Sequence, residues 1–122
     1  MSYKSPFDTA CRAAQFLDQK LAKHIVLLDT QDISSIADYF IIASADSVTQ
    51  VQALTSGLKG ALGDLHCLGI EADAQHRWHL LDFGDVIIHL MHNQARDYYD
   101  LDTFWNHATP VTEDSWQLKQ AS

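Results

Sequence analysis

Apolar residues recur at helical spacing near the start of the chain. Ala10, Ala14, Leu17 and Leu21 fall on one face, and Pro6 suits the first turn of the helix they predict. The period then shortens. Ile25 to Leu28 is an aliphatic run ending at Asp29, and a polar turn from Thr30 to Asp32 leads through Ile36 to Tyr39-Phe-Ile-Ile-Ala43. Two strands fit, and the second reads as buried on both faces because its apolar residues do not alternate. Ser47 with Gln50 three residues later is a capping-box pattern that opens a second helix. Val48, Val51, Leu54, Leu58, Ala61, Leu62 and Leu65 keep one face of that helix apolar. Gly57, Gly60 and Gly63 within it each cost about 1 kcal/mol against Ala unless they permit close packing.

Gly69 to Ala72 supplies a short strand, and Arg77 to Leu81 with Val86 to Met91 supplies a hairpin. Asp82-Phe83-Gly84 suits a three-residue loop with Gly84 in the left-handed region, which sets the register. That register puts Trp78, Leu80, Val86, Ile88 and Leu90 on a core face and His79, Leu81, Ile87, His89 and Met91 on a mixed one. A slip of one residue would reverse Trp78, so its orientation stays open. Arg96 to Trp105 is aromatic and helix-like, and beyond Ala108 the chain turns polar around Pro110. Residues 1–108 therefore read as one α/β domain, a mixed sheet of about five strands flanked by helices, and residues 109–122 as a loose tail with at most a helical turn at Trp116.

A length of 122 residues fits a single domain that buries roughly two thirds of its unfolded surface. No apolar run approaches the ~20 residues of a membrane span, and the start has neither a signal-peptide apolar region nor an Arg-rich presequence. A cytosolic location is the expectation. Cys11 and Cys67 have no neighbouring Cys or metal-ligand spacing and read as reduced thiols. The 16 acidic against 8 basic side chains repel phosphate, so direct nucleic-acid binding is not expected and a basic protein partner suits the surface better.

Candidate chemistry is sparse. Asp82-Phe83-Gly84 looks like the magnesium-binding triplet of kinases but lacks every companion motif, which leaves a hairpin turn. His76, His79, His89 and His92 lie on the hairpin, yet they divide between the faces in diagonal pairs, whereas a zinc site needs at least three convergent ligands. Nucleotidyl transfer would need a Gly-Ser loop and metal-holding carboxylates. Asp100-Leu-Asp102 follows an aromatic segment and Glu71-Ala-Asp73 has no phosphate-cradling glycines, so both read as solvated surface. Neither cysteine has an electropositive setting and no Gly-x-Ser-x-Gly elbow occurs. The aromatics are the better clue: Trp78, Phe83, Tyr98, Tyr99, Phe104 and Trp105 are clustered in sequence and are of the types that anchor interfaces or a docked helix.

The order of these blocks resembles the ribosomal silencing factor family, also called Iojap-like proteins. The resemblance spans Leu17 to Trp105 and rests on Ile25-Val-Leu-Leu-Asp29, Ser34 to Ala43, Gln50-Val51, Trp78 to Met91, and Arg96 to Leu101 before Trp105. It implies a nucleotidyltransferase-like fold without the active site, no catalysis and no cofactor. It also implies binding to large-subunit ribosomal protein number fourteen, which blocks joining of the small and large subunits and represses translation during nutrient limitation, with a link to large-subunit maturation. The binding residues it implies are Trp78, Leu80, Asp82, Asp85, His89, Met91, Arg96 and Tyr99. Two departures bear on the flanking loops: Ser44-Ala-Asp-Ser47 replaces the family's usual Gly-Thr-Ser, and Asp73-Ala-Gln-His76 replaces a Gly-rich approach to the Trp strand. A homodimer is compatible with this reading. The alternative from another class is a small nucleotide-binding or nucleotidyltransferase-like enzyme with a degenerate site.

Overall fold

The computed structural model describes Ser5 to Leu118. Helix α1 (Pro6–Gln19) begins as the sequence predicts, with Pro6 in the first turn and the Ser5 hydroxyl accepting from the Asp8 amide at 3.1 Å. Ala10, Ala14 and Leu17 are fully buried. Leu21 does not extend that face: the helix has ended, Leu21 sits at φ 65°, and its side chain is exposed.

Strands β1 (Lys23–Asp29) and β2 (Tyr39–Ala45) follow, and every residue of β2 is buried, as its unbroken apolar run requires. Helix α2 (Val48–Ala61) starts at the Ser47 cap, whose hydroxyl accepts from the Gln50 amide at 3.0 Å. The Gln50 side chain reaches back one residue further than the capping box expects, accepting from the Asp46 amide at 3.1 Å. Val51, Leu54, Leu58 and Leu62 form the buried seam of this helix, whereas Ala61 is exposed. A Cβ on Gly57 would stand 2.7 Å from the tip of the Phe16 ring, so this glycine lets the two helices close on each other.

Strands β3 (Gly69–Ala72), β4 (Trp78–Asp82) and β5 (Val86–His92) come next, then helices α3 (Asn93–Tyr99) and α4 (Leu101–Phe104), strand β6 (Thr109–Val111) and helix α5 (Glu113–Leu118). The sheet has six strands in the order β3-β4-β5-β2-β1-β6. It is mixed, because β2 and β5 pair parallel while the other neighbours pair antiparallel. One face carries α1, α2 and α5 over a core that includes Leu17, Ile41, Leu58, Leu81 and Ile88. The opposite face holds a second core around Phe40, Ile42, Ile87 and Met91, closed by Ala95, Leu101 and Trp105 of the α3–α4 segment and its end.

Two expectations are corrected. The hairpin loop lies later than the Asp82-Phe83-Gly84 reading put it: the Phe83 amide donates to Val86 O at 3.0 Å, leaving Gly84 and Asp85 at the tip with Gly84 at φ 86°. Trp78 therefore pairs with Met91, Leu80 with His89 and Asp82 with Ile87, while His79 and Leu81 oppose Leu90 and Ile88. The one-residue slip moves Trp78 and Leu80 from the helix-covered core face to the other one.

The segment from 109, expected as a loose tail, is instead β6 and α5 as far as residue 118. Strand β6 pairs with β1, and its edge position tolerates Pro110. The reason α5 docks is Trp116, 3% exposed in the helix-covered core, with its carbonyl accepting from the Gln15 side chain at 2.6 Å. Residues 119–122 of that expected tail lie outside the described residues. Among the described residues no helix is long and apolar enough to cross a membrane.

Candidate sheet-face docking site

Strand periodicity places Trp78, Leu80 and Asp82 on one face of β4, and β4 is where helical cover runs out. The three are half-buried, which is what a surface strip at the margin of a core looks like. The Trp78 indole N–H donates to His89 Nδ1 at 3.1 Å across the hairpin. Tyr99, from the end of α3, lies over the same indole with ring centroids 4.7 Å apart. The rings then form a row. Tyr98 meets Tyr99, His89 meets Phe40 at 5.7 Å, Phe40 meets Trp105 at 4.4 Å, and Phe104 meets Trp105 edge-on. Tyr98, Tyr99 and Phe104 are exposed, so both ends of the row reach solvent while its middle is core.

His89 is a support rather than a contact. It is buried beneath Trp78, and burial pushes its pKa down to about 4, so the ring is neutral at pH 7. Because Nδ1 accepts from Trp78, the ring proton resides on Nε2, which is buried and has no hydrogen-bond partner. Met91, paired with Trp78 and fully buried, likewise lies under the strip and cannot touch a partner without rearrangement.

Arg96 points away from it. Its guanidinium donates to His24 O at 2.5 Å, to Ser44 Oγ at 3.3 Å and to Asp102 Oδ2 at 3.0 Å. It is 9% exposed and clamps α3 and α4 to the irregular start of β1, where His24 stands at φ 51°. Asp85 is exposed at the hairpin tip and lines a separate recess with Pro6, Leu68 and Phe83. Of the eight residues singled out from sequence, Trp78, Leu80, Asp82 and Tyr99 thus share the open face. His89 and Met91 lie beneath it, Asp85 is at the tip and Arg96 is elsewhere.

Glu71 and Asp73, which the sequence suggests are plain solvated surface, belong to the rim of this face. Glu71 pairs with Leu80 across β3 and β4, and both acids line a recess of about 310 Å³ with Ala72, Trp78 and Leu80. The Asp73 carboxylate also accepts from the amides of Arg77 at 2.6 Å and Trp78 at 3.1 Å, fixing the turn into β4. Their signal in the sequence was the short strand opposite the Trp strand. The arrangement is chemically a sorter of side chains: an apolar floor of Trp78 and Leu80, aromatic edges, and carboxylates at the rim, which suits aliphatic groups bearing a positive charge. Among the described residues no three His, Cys, Asp or Glu side chains converge as metal ligands.

The fold is thus a small α/β domain whose mixed sheet is left partly uncovered beside an aromatic row. A family model described as ribosomal silencing factor during starvation matches residues 4–122. A ribosomal silencing factor of Bacillus subtilis is 38% identical over 110 residues, which cover 88% of this chain and 92% of that one. The crystal structure of a Chromobacterium violaceum protein superimposes with a TM-score of 0.80 at 31% identity, covering 84% of this chain and 88% of that chain. A mouse protein named mitochondrial assembly of ribosomal large subunit protein 1 is 30% identical over 94 residues, 73% of this chain and 41% of that one. This chain belongs to the ribosomal silencing factor family.

Proposed function

We propose that this protein is a non-catalytic ribosomal silencing factor. It binds the large ribosomal subunit in the cytoplasm through large-subunit ribosomal protein number fourteen. Occupying that surface keeps the small subunit from joining, and translation falls when nutrients are short. The observation that carries the reading is the half-buried Trp78–Leu80 strip with Tyr99 over it and Glu71, Asp73 and Asp82 around it. It has the apolar centre and polar rim of a protein interface, and its charge suits a basic partner. A role in large-subunit maturation belongs to the same reading, supported by the name of the mouse relative.

Work here is done by affinity and placement. A bound body of 13.7 kDa excludes a second surface sterically, so the relevant quantities are residence time and position. The test is binding to the isolated ribosomal protein. Glu71→Lys, at the rim of the strip, should weaken the complex through charge reversal while leaving stability within about 0.5 kcal/mol, because the side chain is exposed. Equal affinity of variant and wild type would remove the acidic rim from the interface, and no binding by either would remove the partner.

A further inference from the structure

Helix α3 has little apolar anchorage of its own. Of its seven residues only Ala95 and Arg96 are buried, and a single methyl group buries too little surface to fix the angle of a helix. Leu101 and Trp105 pack on the second core, but they lie beyond the break at Asp100, which stands at φ 51°. The ties on α3 itself are polar. At its start the Asn93 side-chain amide donates to Asp46 Oδ1 at 2.7 Å, and at its end the tie is Arg96. The helix finishes at Tyr99, whose ring lies over Trp78.

We propose that Arg96 is a positioning residue for the docking face: its guanidinium sets the end of α3, and through it the seat of Tyr99 on Trp78, without touching a partner. The consequence for affinity rests on the reading that this face meets the large subunit.

The surroundings of the guanidinium are built for this task. A bulge in β1 leaves His24 and Ile25 between the pairs Lys23–Ser44 and Val26–Ile42 and holds His24 in the left-handed region, a strained position for a residue other than glycine. The His24 carbonyl accepts from Arg96 Nη1. Ser44 Oγ donates to Lys23 O at 3.1 Å and accepts from the same Nη1 at 3.3 Å. Nη2 donates to Asp102 Oδ2 on α4, while the Arg96 carbonyl accepts from the Asp100 amide at 2.9 Å. Main chain and side chain of one residue thus join β1, β2 and both helices. Two nitrogens of a rigid fork reach acceptors in different directions, whereas a lysine ammonium is a point donor on a flexible stem that keeps the charge and cannot span them. The charge itself is met inside the protein by Asp102, which leaves it little part in attracting a partner.

The test compares Arg96→Lys, Asp102→Ala and Tyr99→Ala with the wild type, first free and then on separated large subunits. In the free protein the ring-to-ring nuclear Overhauser contacts between Trp78 and Tyr99 should weaken in Arg96→Lys. They should weaken in the same sense in Asp102→Ala, whose exposed position leaves the fold intact. On the large subunit Arg96→Lys should lower affinity about tenfold, and in a Tyr99→Ala background the same substitution should change it by less than about twofold. Unchanged Trp78–Tyr99 contacts in both variants would overturn the role of Arg96. So would wild-type affinity with lysine at that position, or a loss undiminished in the absence of Tyr99. Weakened ring contacts together with no binding by the wild type would support the placement of Tyr99 by Arg96 and overturn the large-subunit reading instead.

Discussion

Trp78 divides its surface between the fold and solvent, and this mixed status makes a quantitative prediction. A fully buried Trp replaced by Ala costs about 3–5 kcal/mol, whereas this one keeps part of its surface exposed. Trp78→Ala should therefore cost about 1–3 kcal/mol in urea denaturation, from the lost tilted ring contact with Tyr99 and the stranded His89 acceptor. A larger loss would put the indole in the core. His89 makes a prediction of opposite character. Its folded pKa of about 4 lies below the ordinary 6.5, so on acidification the unfolded chain takes up a proton that the folded chain refuses. Its contribution is complete above pH 6.5 and disappears as the pH falls to about 4, a loss of up to about 3 kcal/mol. His89→Gln cannot titrate and should decline less steeply over that window. Parallel stability–pH curves for the two proteins would assign the decline to other groups.

Elements differ in how openly the sequence announces them. Helices α1 and α2 were legible because each has its own apolar period and a capping residue or first-turn proline, and strand β2 because its short unbroken apolar run fits a strand buried on both faces. The hairpin was legible as an element but not in its register. A loop residue counted as strand or turn flips every side chain, and that choice rested on the Phe83 to Val86 hydrogen bond. For the same reason the family resemblance placed Trp78 toward a partner while the turn chemistry placed it inward, and the structure puts it on the less covered face. The end of the chain was illegible for another reason: three residues of β6 and six of α5 are too short to show a period, and only long-range packing holds them. Trp116 is the residue that gives that packing its energy. Trp116→Ala should cost about 3–5 kcal/mol in chemical denaturation, and a cost below about 1 kcal/mol would mean that α5 contributes little to the core.

At the scale of the molecule, one sheet with unequally covered faces accounts for both stability and exposure. Helices α1, α2 and α5 complete one core, while the α3–α4 segment closes most of the other and stops short of β4. The uncovered margin and the whole-chain net charge of −8 suit the proposed basic protein partner better than bare nucleic acid. The candidate site was legible in part. The Trp strand could be named from its residues, whereas the acidic rim from β3 and the internal roles of Arg96, His89 and Met91 needed the strand pairing and the packing. The central claim is exclusion of the small subunit by occupation of the large one. The direct measurement is sedimentation of the purified protein with separated large subunits through a sucrose gradient, followed by addition of small subunits. The account predicts that the protein migrates with the large subunit and that the joined-ribosome peak shrinks in proportion to its occupancy. A protein that stays at the top of the gradient, or a joined peak unchanged at full occupancy, would contradict it.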